Sequence, residues 1–512
     1  MDFKYAWFSN PKWWFPSEEQ KVHIDDYLRQ TYEHLLETSE EYDNITKILI
    51  YDQLVRHCFR NGEFKHVIEF YLQKALQCSL TIIKSGDYKY LANEELVFSL
   101  LPLRHTQRWK YINIALSLIW ERLDETNLDI TMLKRFLRAA YSRVPNDQSS
   151  YLKFYNSFNS FDHNDDNYND FSDILVNNIG IKHDPIDDGK IFEGFLKLIS
   201  TNKTQTIIVS LSGGVDSMVC SYVLNDLRKT YNYNLIAVHI NYGNKSTACK
   251  DENFVIYWCN KLDIPLYVRY IAEIKRDVCM KHELREIYEN YTRNVRFSTY
   301  KTAWNDADTY PIVILGHNKN DCFENILTNI THCQKYDNLF GMHYVSNLDG
   351  ITFWRPLLNA EKSEIRSFAC KHSIPHLHDS TPTWSQRGKI RDKVMPTLKE
   401  WNRDNLDGFF ELSKVVSDLY CILEEKVLEM CHRTTNGRLI LHQNELKTNS
   451  TLWKRYFEKC YHVSVSKQSL KNFCDRLETF HKKKNLRIVI NKSFTIKINL
   501  DQNTNNIMIE RM

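Results

Sequence analysis

Apolar positions in the first 143 residues recur at intervals of three and four. The stretches 27–36, 45–59, 67–80, 94–101 and 112–123 follow this rhythm, which predicts amphipathic helices and no strand. Between about 173 and 401 the pattern changes. Short apolar, β-branched runs at 206–211, 235–240, 265–270 and 311–315 predict strands. Helical stretches at 215–227, 251–262, 283–304, 321–330 and 362–372 separate or follow them. This alternation predicts an α/β fold, a doubly wound parallel sheet with ligands at the carboxyl ends of its strands. Beyond 405 the pattern is mixed: helices at 409–431 and 467–480, then short alternating strands at 486–490, 493–498 and 506–510. The run SFNSFDHNDDNYNDFSD, polar and acidic, reads as a linker. The expected organisation is an all-α domain over 1–145, a linker over 146–172, the α/β domain over 173–402 and a small α+β domain over 403–512.

Composition changes this picture little. A 512-residue chain with 43% hydrophobic and 26% charged residues accommodates several cores. A net charge of +3 does not demand a nucleic-acid partner, although a basic face can hide within it. The 13 cysteines include no Cys-x-x-Cys pair, and the N-terminus has no secretory pattern, so free thiols in the cytoplasm are expected. No apolar run is long enough to span a bilayer.

The chemistry concentrates after the first predicted strand of the α/β region. There the chain reads Ser212, Gly213, Gly214, Val215, Asp216, Ser217. A strand, a glycine turn and a helix start form an anion cradle, because the first amides of a helix lack intrahelical acceptors and its dipole favours negative charge. Asp216 places a carboxylate where it can hold Mg²⁺ against phosphate oxygens. The loop lacks the Gly-Lys-Ser/Thr ending of a Walker A motif. It resembles the pyrophosphate loop of the N-type ATP pyrophosphatases, which cleave ATP between its α- and β-phosphates.

Further motifs follow at predicted strand ends or on helices. His239, Ile240, Asn241, Tyr242 and Gly243 come after the second strand, and the run from Gly316 and His317 through Asp321 and Glu324 to Asn325 after the fourth. Arg293 and Arg296 lie on a long helix. Later come Arg355-Pro356-Leu357-Leu358, Asp379-Ser380-Thr381, and Arg387 with Arg391. Each alone has a bland reading: a hydrogen-bonded histidine, a solvated acidic helix start, a surface ion pair. Two carboxylates on one helical face can also bind Mg²⁺ or an ammonium group.

In their joint order these motifs resemble those of the tRNA(Ile)-lysidine synthetases over about 206–398. Several positions depart from that pattern: Tyr242 replaces a His, Asn320 an Asp, Asn325 a Thr, Pro382 an Asn and Gly388 an Asn. The charged positions Asp216, Arg293, Asp321, Glu324, Arg387 and Arg391 are all present. The resemblance implies a nucleotide α-hydrolase-like fold and ATP bound by residues 212–217, with His239 and His317 also at the nucleotide. It also implies Mg²⁺ on Asp216, and a tRNA whose wobble cytidine is adenylated and then joined to lysine. Arg293 would bind base or phosphate, Arg387 and Arg391 would close over the nucleotide, and Asp321 with Glu324 would receive lysine. Extra C-terminal domains of that family grip tRNA. Here Lys454, Arg455, Lys467, Lys471, Lys482, Lys483, Lys484 and Arg487 make the tail basic, as phosphate contacts require.

Three N-terminal features stand apart. Trp13, Trp14 and Phe15 cluster before a helix. Asp52 and Gln53 precede Arg56 and Arg60, which are expected on one helical face. The stretch from Leu101 to Thr106, with Pro102 and His105, interrupts the helical pattern. Core aromatics, a solvated ion-pair face and a helix end account for them. Their order is also similar to an uncharacterised all-α, tetratricopeptide-like family, which implies a fold and no activity; the helices are expected either to recruit a protein partner or to extend the grip on RNA. The competing readings for the whole chain are a tRNA thiolase of the same ATP-using group, an amide synthetase, and a helical interaction protein with an inactive nucleotide domain.

Overall fold

The computed structural model describes residues 2–60, 64–125, 129–142, 148–156, 171, 173–176, 189–201, 206–304, 311–331, 341–379, 385–402, 405–442, 449–478, 485–491, 494–501 and 506–511. Ser380, Thr381, Pro382, Lys482, Lys483 and Lys484, and most of 146–172, lie outside them. The chain forms two compact units. One comprises Met1–Gly316, Tyr344–Leu357 and Ser363–His378; the other comprises His317–His343, Leu358–Lys362 and Asp379–Met512.

The first unit holds a seven-stranded sheet in the order β1-β4-β3-β2-β5-β7-β6. Its strands are β1 (Leu152–Tyr155), β2 (Thr206–Ser210), β3 (Asn234–Asn241), β4 (Leu266–Tyr270), β5 (Ile312–Ile314), β6 (Val345–Leu348) and β7 (Ile351–Trp354). The five central strands are parallel, and β1 and β6 close the edges antiparallel. From β2 the chain winds outward through β3 to β4, then returns to place β5 on β2's other side. The switch point therefore lies between β2 and β5, where ligands of such sheets bind. The four expected strands are β2–β5. The β6–β7 hairpin turns on Asp349 and Gly350, both at positive φ, as a two-residue turn requires. β1 arises within the stretch expected as linker and pairs with β4.

The N-terminal helices include Glu18–Tyr32, Lys65–Ser85, Asn93–His105, Trp109–Glu125 and Thr131–Tyr141. Two expectations there need correction. The helix does not stop at Leu101 but runs through Pro102 to His105; burial of the ring and of its neighbours Leu100, Leu101 and Leu103 offsets the lost N–H bond and the ring's clash with the preceding turn. Arg60 does not share a helical face with Arg56: the helix ends at Cys58, and Arg60 turns back to Asp25. These helices share one apolar core with Ile271, Ile274, Cys279, Leu284, Ile287, Tyr288, Tyr291 and Val295. Tyr291 and Val295 belong to the Arg285–Trp304 helix, whose Phe297, Tyr300 and Ala303 pack on the sheet against Ile208, Val238 and Val313. One helix thus joins the N-terminal domain's core to the sheet.

In the second unit an antiparallel sheet runs β8-β11-β10-β9. Its strands are β8 (Arg438–His442), β9 (Asn485–Asn491), β10 (Phe494–Asp501) and β11 (Asn506–Arg511). Ile488 and Ile490 are buried while Val489 is 60% exposed, the alternation of a sheet with one covered face. Trp453, Tyr456, Phe457 and Phe473 from two helices fill that core. Of the basic residues expected to meet phosphate, Arg455 is paired with Glu424 and Glu458, and Lys454 lies 4.0 Å from Glu458. Lys467, Lys471 and Arg487 are exposed.

Candidate active site

β2 delivers the chain into the glycine turn at the switch point. Gly213 has φ +83°, and a Cβ there would lie 2.5 Å from Leu377 Cδ1, so only glycine fits. Gly214 is the N-cap of the Val215–Tyr231 helix. Ser217 Oγ donates to Gly214 O at 2.9 Å and accepts from Ser212 N at 3.1 Å, which ties the turn to the helix's first residues. By helix geometry the amides of Val215, Asp216 and Ser217 have no intrahelical acceptor. The chain after β5 closes on this turn. A Cβ on Gly316 would lie 2.9 Å from Asp216 Cβ and 3.0 Å from Ser217 N. The sequence places Gly316 at the head of the run after the fourth predicted strand but assigns it no role, because a single glycine between a strand and a helix carries no signal of its own.

His239, near the end of β3, is buried, and its Nδ1 donates to Leu211 O at 2.8 Å. Burial holds its pKa below the ordinary histidine value, so the ring is neutral and fixes the residue immediately before Ser212. Asn241 is likewise buried and accepts from Gly243 N at 2.9 Å. These residues shape the loops at the strand ends.

The Arg285–Trp304 helix is anchored to the last residue of β2 by Tyr300 OH and Ser210 Oγ, 2.7 Å apart. One turn before Tyr300 lies Arg296, hydrogen-bonded to Tyr242. Its Nε is buried without an acceptor, and no ion pair to a carboxylate accompanies it among the described residues. An unneutralised guanidinium in that position is costly unless an anion completes it. Arg293 is nearly half exposed, 4.0 Å from Asp349 and over the Phe297 ring. The sequence presents both as one face of a helix; burial separates them.

The second unit assembles its own charged cluster. Asn318 and Asp321 cap the Lys319–Thr331 helix reciprocally: Asn318 N donates to Asp321 Oδ2, and Asp321 N to Asn318 Oδ1, both at 3.1 Å. Asp321 Oδ1 accepts from Arg391 Nη2 at 2.9 Å, and Glu324 Oε1 accepts from Arg391 Nε. Arg387 Nε lies 3.5 Å from Glu324 Oε2, and Asp379 Oδ2 also meets Arg391. Burial drives the Glu324 carboxyl upward, and Arg391 offsets only part of that rise. Arg391 sits in a π-helical segment, Ile390–Val394, a distortion common at functional sites. His317 is half-buried, directly after Gly316 in the chain.

The motif Arg355-Pro356-Leu357-Leu358 has a structural explanation. A Cβ on Gly194 would lie 2.0 Å from Pro356 O, so the Gly189–Thr201 helix packs against that carbonyl through a glycine. Arg355 Nη1 donates to Ser346 Oγ at 2.9 Å.

Residues 189–398 match the PP-loop domain family. A PP-loop domain supports use of ATP. Residues 3–158 match a family described as a bacterial protein of unknown function (DUF924), which accounts for the N-terminal resemblance. A tRNA(Ile)-lysidine synthase of Staphylococcus aureus (strain COL) is 26% identical over 223 residues, 43% of this chain and 50% of that protein. The tRNA(Ile)-lysidine synthase of Clostridium tetani (strain Massachusetts / E88) is 33% identical over 208 residues, 40% of this chain and 43% of that protein. The chain therefore matches these curated relatives over about half of their length or less. Among solved structures, a U34-tRNA thiolase from Methanococcus maripaludis aligns with a TM-score of 0.36 and 16% identity, over 44% of this chain and 78% of that one.

Proposed function

We propose that the chain is an ATP-dependent tRNA-modifying ligase, joining lysine to the wobble cytidine of an isoleucine tRNA. The observation that carries this reading is the glycine cradle at the β2–β5 switch point, within a segment that matches the PP-loop domain and aligns with lysidine synthases.

The phosphates of ATP rest on the amides of 212–217. Mg²⁺ is usually held by one or two carboxylates together with substrate phosphates and water, a demand that Asp216 meets from the protein side. Bound there, it would neutralise phosphate charge. The O2 of the cytidine attacks the α-phosphorus, the bond to pyrophosphate breaks, and AMP stays on the base. Arg296, half-buried and hydrogen-bonded to Tyr242, and Arg293, more exposed, supply positive charge to that step. The lysine amine then attacks C2, and the C–O bond to AMP breaks. Asp321 orients the ammonium, and Glu324, with its raised carboxyl, takes the amine's proton. Arg391 holds both carboxylates until lysine replaces it, with Arg387 beside Glu324. In this reading His239 supports the loop, and His317 remains a candidate nucleotide contact. The protein works with tRNA in the cytoplasm, and no described helix is long and apolar enough to cross a membrane.

A thiolase needs an accessible sulfur carrier. Cys322, the cysteine inside a motif, is buried, and its Sγ accepts from Met342 N at 3.3 Å. That favours ligation. Mass spectrometry of nucleosides from tRNA incubated with the protein, ATP and isotope-labelled lysine tests the reading. A labelled cytidine adduct is expected; a sulfur-bearing nucleoside formed with a sulfur donor would overturn it.

A further inference from the structure

Tyr242 is one of the positions at which the sequence departs from the lysidine synthetase pattern, and the structure gives it a specific partner. Alternate residues of a strand face opposite sides of the sheet. Val238 and Ile240 pack with the Arg285–Trp304 helix, and the same alternation carries Tyr242, one residue past β3, to that side. There it is hydrogen-bonded to Arg296. The helix leads into β5, which is parallel to β2, so it runs against the strand direction. Tyr300 meets Ser210, the last residue of β2. Arg296, one turn earlier, therefore lies about 6 Å further toward the carboxyl ends of the strands, where ligands of such sheets bind.

The segment around Tyr242 is pinned on both sides. Asn241 Nδ2 donates to Glu252 Oε2 at 2.7 Å and to Ala248 O at 3.2 Å, while its Oδ1 holds Gly243 N. Gly243 has φ +62°, and a Cβ there would lie 3.1 Å from Tyr270 OH. Asn244 Nδ2 donates to Tyr288 OH at 2.5 Å. Residues 243–246 are exposed and Tyr242 is half-buried, so these anchors fix an aromatic ring at the boundary with solvent.

Guanidinium N–H groups only donate. The Tyr242 oxygen therefore accepts from Arg296, and its own hydrogen is left to donate elsewhere. A hydroxyl that accepts from a cation is polarised into a stronger donor. No carboxylate pairs with Arg296 among the described residues, so the pair presents positive charge and a directed O–H together. Charge-assisted donors of this kind match a phosphate oxygen.

We propose that Tyr242 is a further substrate-contacting residue, whose hydroxyl, aimed by Arg296, donates to a phosphate oxygen. The role rests on the tRNA-ligase reading, in which that oxygen belongs either to ATP or to the RNA backbone.

Tyr242→Phe in the full chain removes the donor and keeps the ring, so its melting temperature should stay within a few degrees of wild type. Three quantities test the role: ATP affinity without RNA, KM for tRNA(Ile) and kcat of pyrophosphate release. A hydrogen bond to a charged group is lost, so at least one should worsen about tenfold or more. Weakened ATP binding, or a fall in kcat alone, assigns ATP; a raised KM for tRNA with ATP affinity intact assigns the RNA. In an Arg296→Met background the same substitution should add almost nothing, because the hydroxyl is no longer aimed. Wild-type release indifferent to RNA would fail the ligase reading and leave ATP affinity to judge Tyr242. Values equal to wild type throughout, or a full multiplicative loss on top of Arg296→Met, overturn the proposal.

Discussion

Trp109 stacks on Tyr291, with ring centroids 5.9 Å apart and planes 10° from parallel. Trp109 opens an N-terminal helix; Tyr291 lies on the helix that carries Arg293 and Arg296. Tyr141 meets Tyr291 edge-on at 4.9 Å, and its hydroxyl donates to Glu273 O at 2.7 Å. The N-terminal domain is therefore built into the PP-loop domain, with a shared core and a strand in its sheet.

From that shared core follows a single unfolding transition for both. Hydrogen exchange along a denaturant series should show 93–141 and 206–304 opening together. Trp109→Ala, which empties a buried aromatic site, should lower the stability of both by about 3 kcal/mol. Two well-separated transitions, with Trp109→Ala acting on one alone, would contradict the shared core.

Gly316→Ala forces a methyl group against the backbone of the loop helix. Overall stability should fall modestly, because the loop can shift, but ATP affinity should drop at least about tenfold, or 1.4 kcal/mol. Equilibrium binding of ATP checks this. Unchanged affinity would separate Gly316 from the nucleotide.

Arg296 is a half-buried charge, its Nε buried, without a carboxylate partner among the described residues. Replacing it with methionine removes a desolvation penalty, so Arg296→Met should melt at or above the wild-type temperature. Pyrophosphate release should nonetheless fall by about a hundredfold, the size of effect seen when a positioned electrostatic group is lost. Lost stability with retained activity would make Arg296 structural.

Unfolding exposes the His239 ring, which then takes up a proton below its ordinary value of about 6.5, whereas the folded ring resists doing so. The stability due to neutral His239 is thus complete above that pH and is lost as the pH falls toward the folded value. Burial gives His57 and His105 the same sign. The denaturation midpoint should decline from pH 7 to pH 5. His239→Asn, whose amide can still donate to Leu211 O, should flatten part of the decline; an identical slope would refute the assignment.

Local rhythm and short motifs made much of this legible. The runs at 206–211 and 235–240 became β2 and β3 because unbroken apolar stretches of that length suit a strand covered on both faces. β1 escaped notice because Leu152–Tyr155 borders an acidic, asparagine-rich run and is an edge strand, with Phe154 half exposed. The helix Ser450–Tyr461 went unread, its apolar side masked by Lys454, Arg455 and Lys459, which pair with acids across two helices. Asp321 and Glu324 were legible as a pair at helical spacing. Their engagement by Arg391, some 70 positions away, is tertiary and leaves no local trace.

Pyrophosphate release with ATP and tRNA(Ile) tests the central claim most directly, comparing wild type with Asp216→Ala. Release by the wild type that requires the RNA, and its loss in the variant, is the predicted result. Equal release by the two proteins, or release indifferent to RNA, would contradict it.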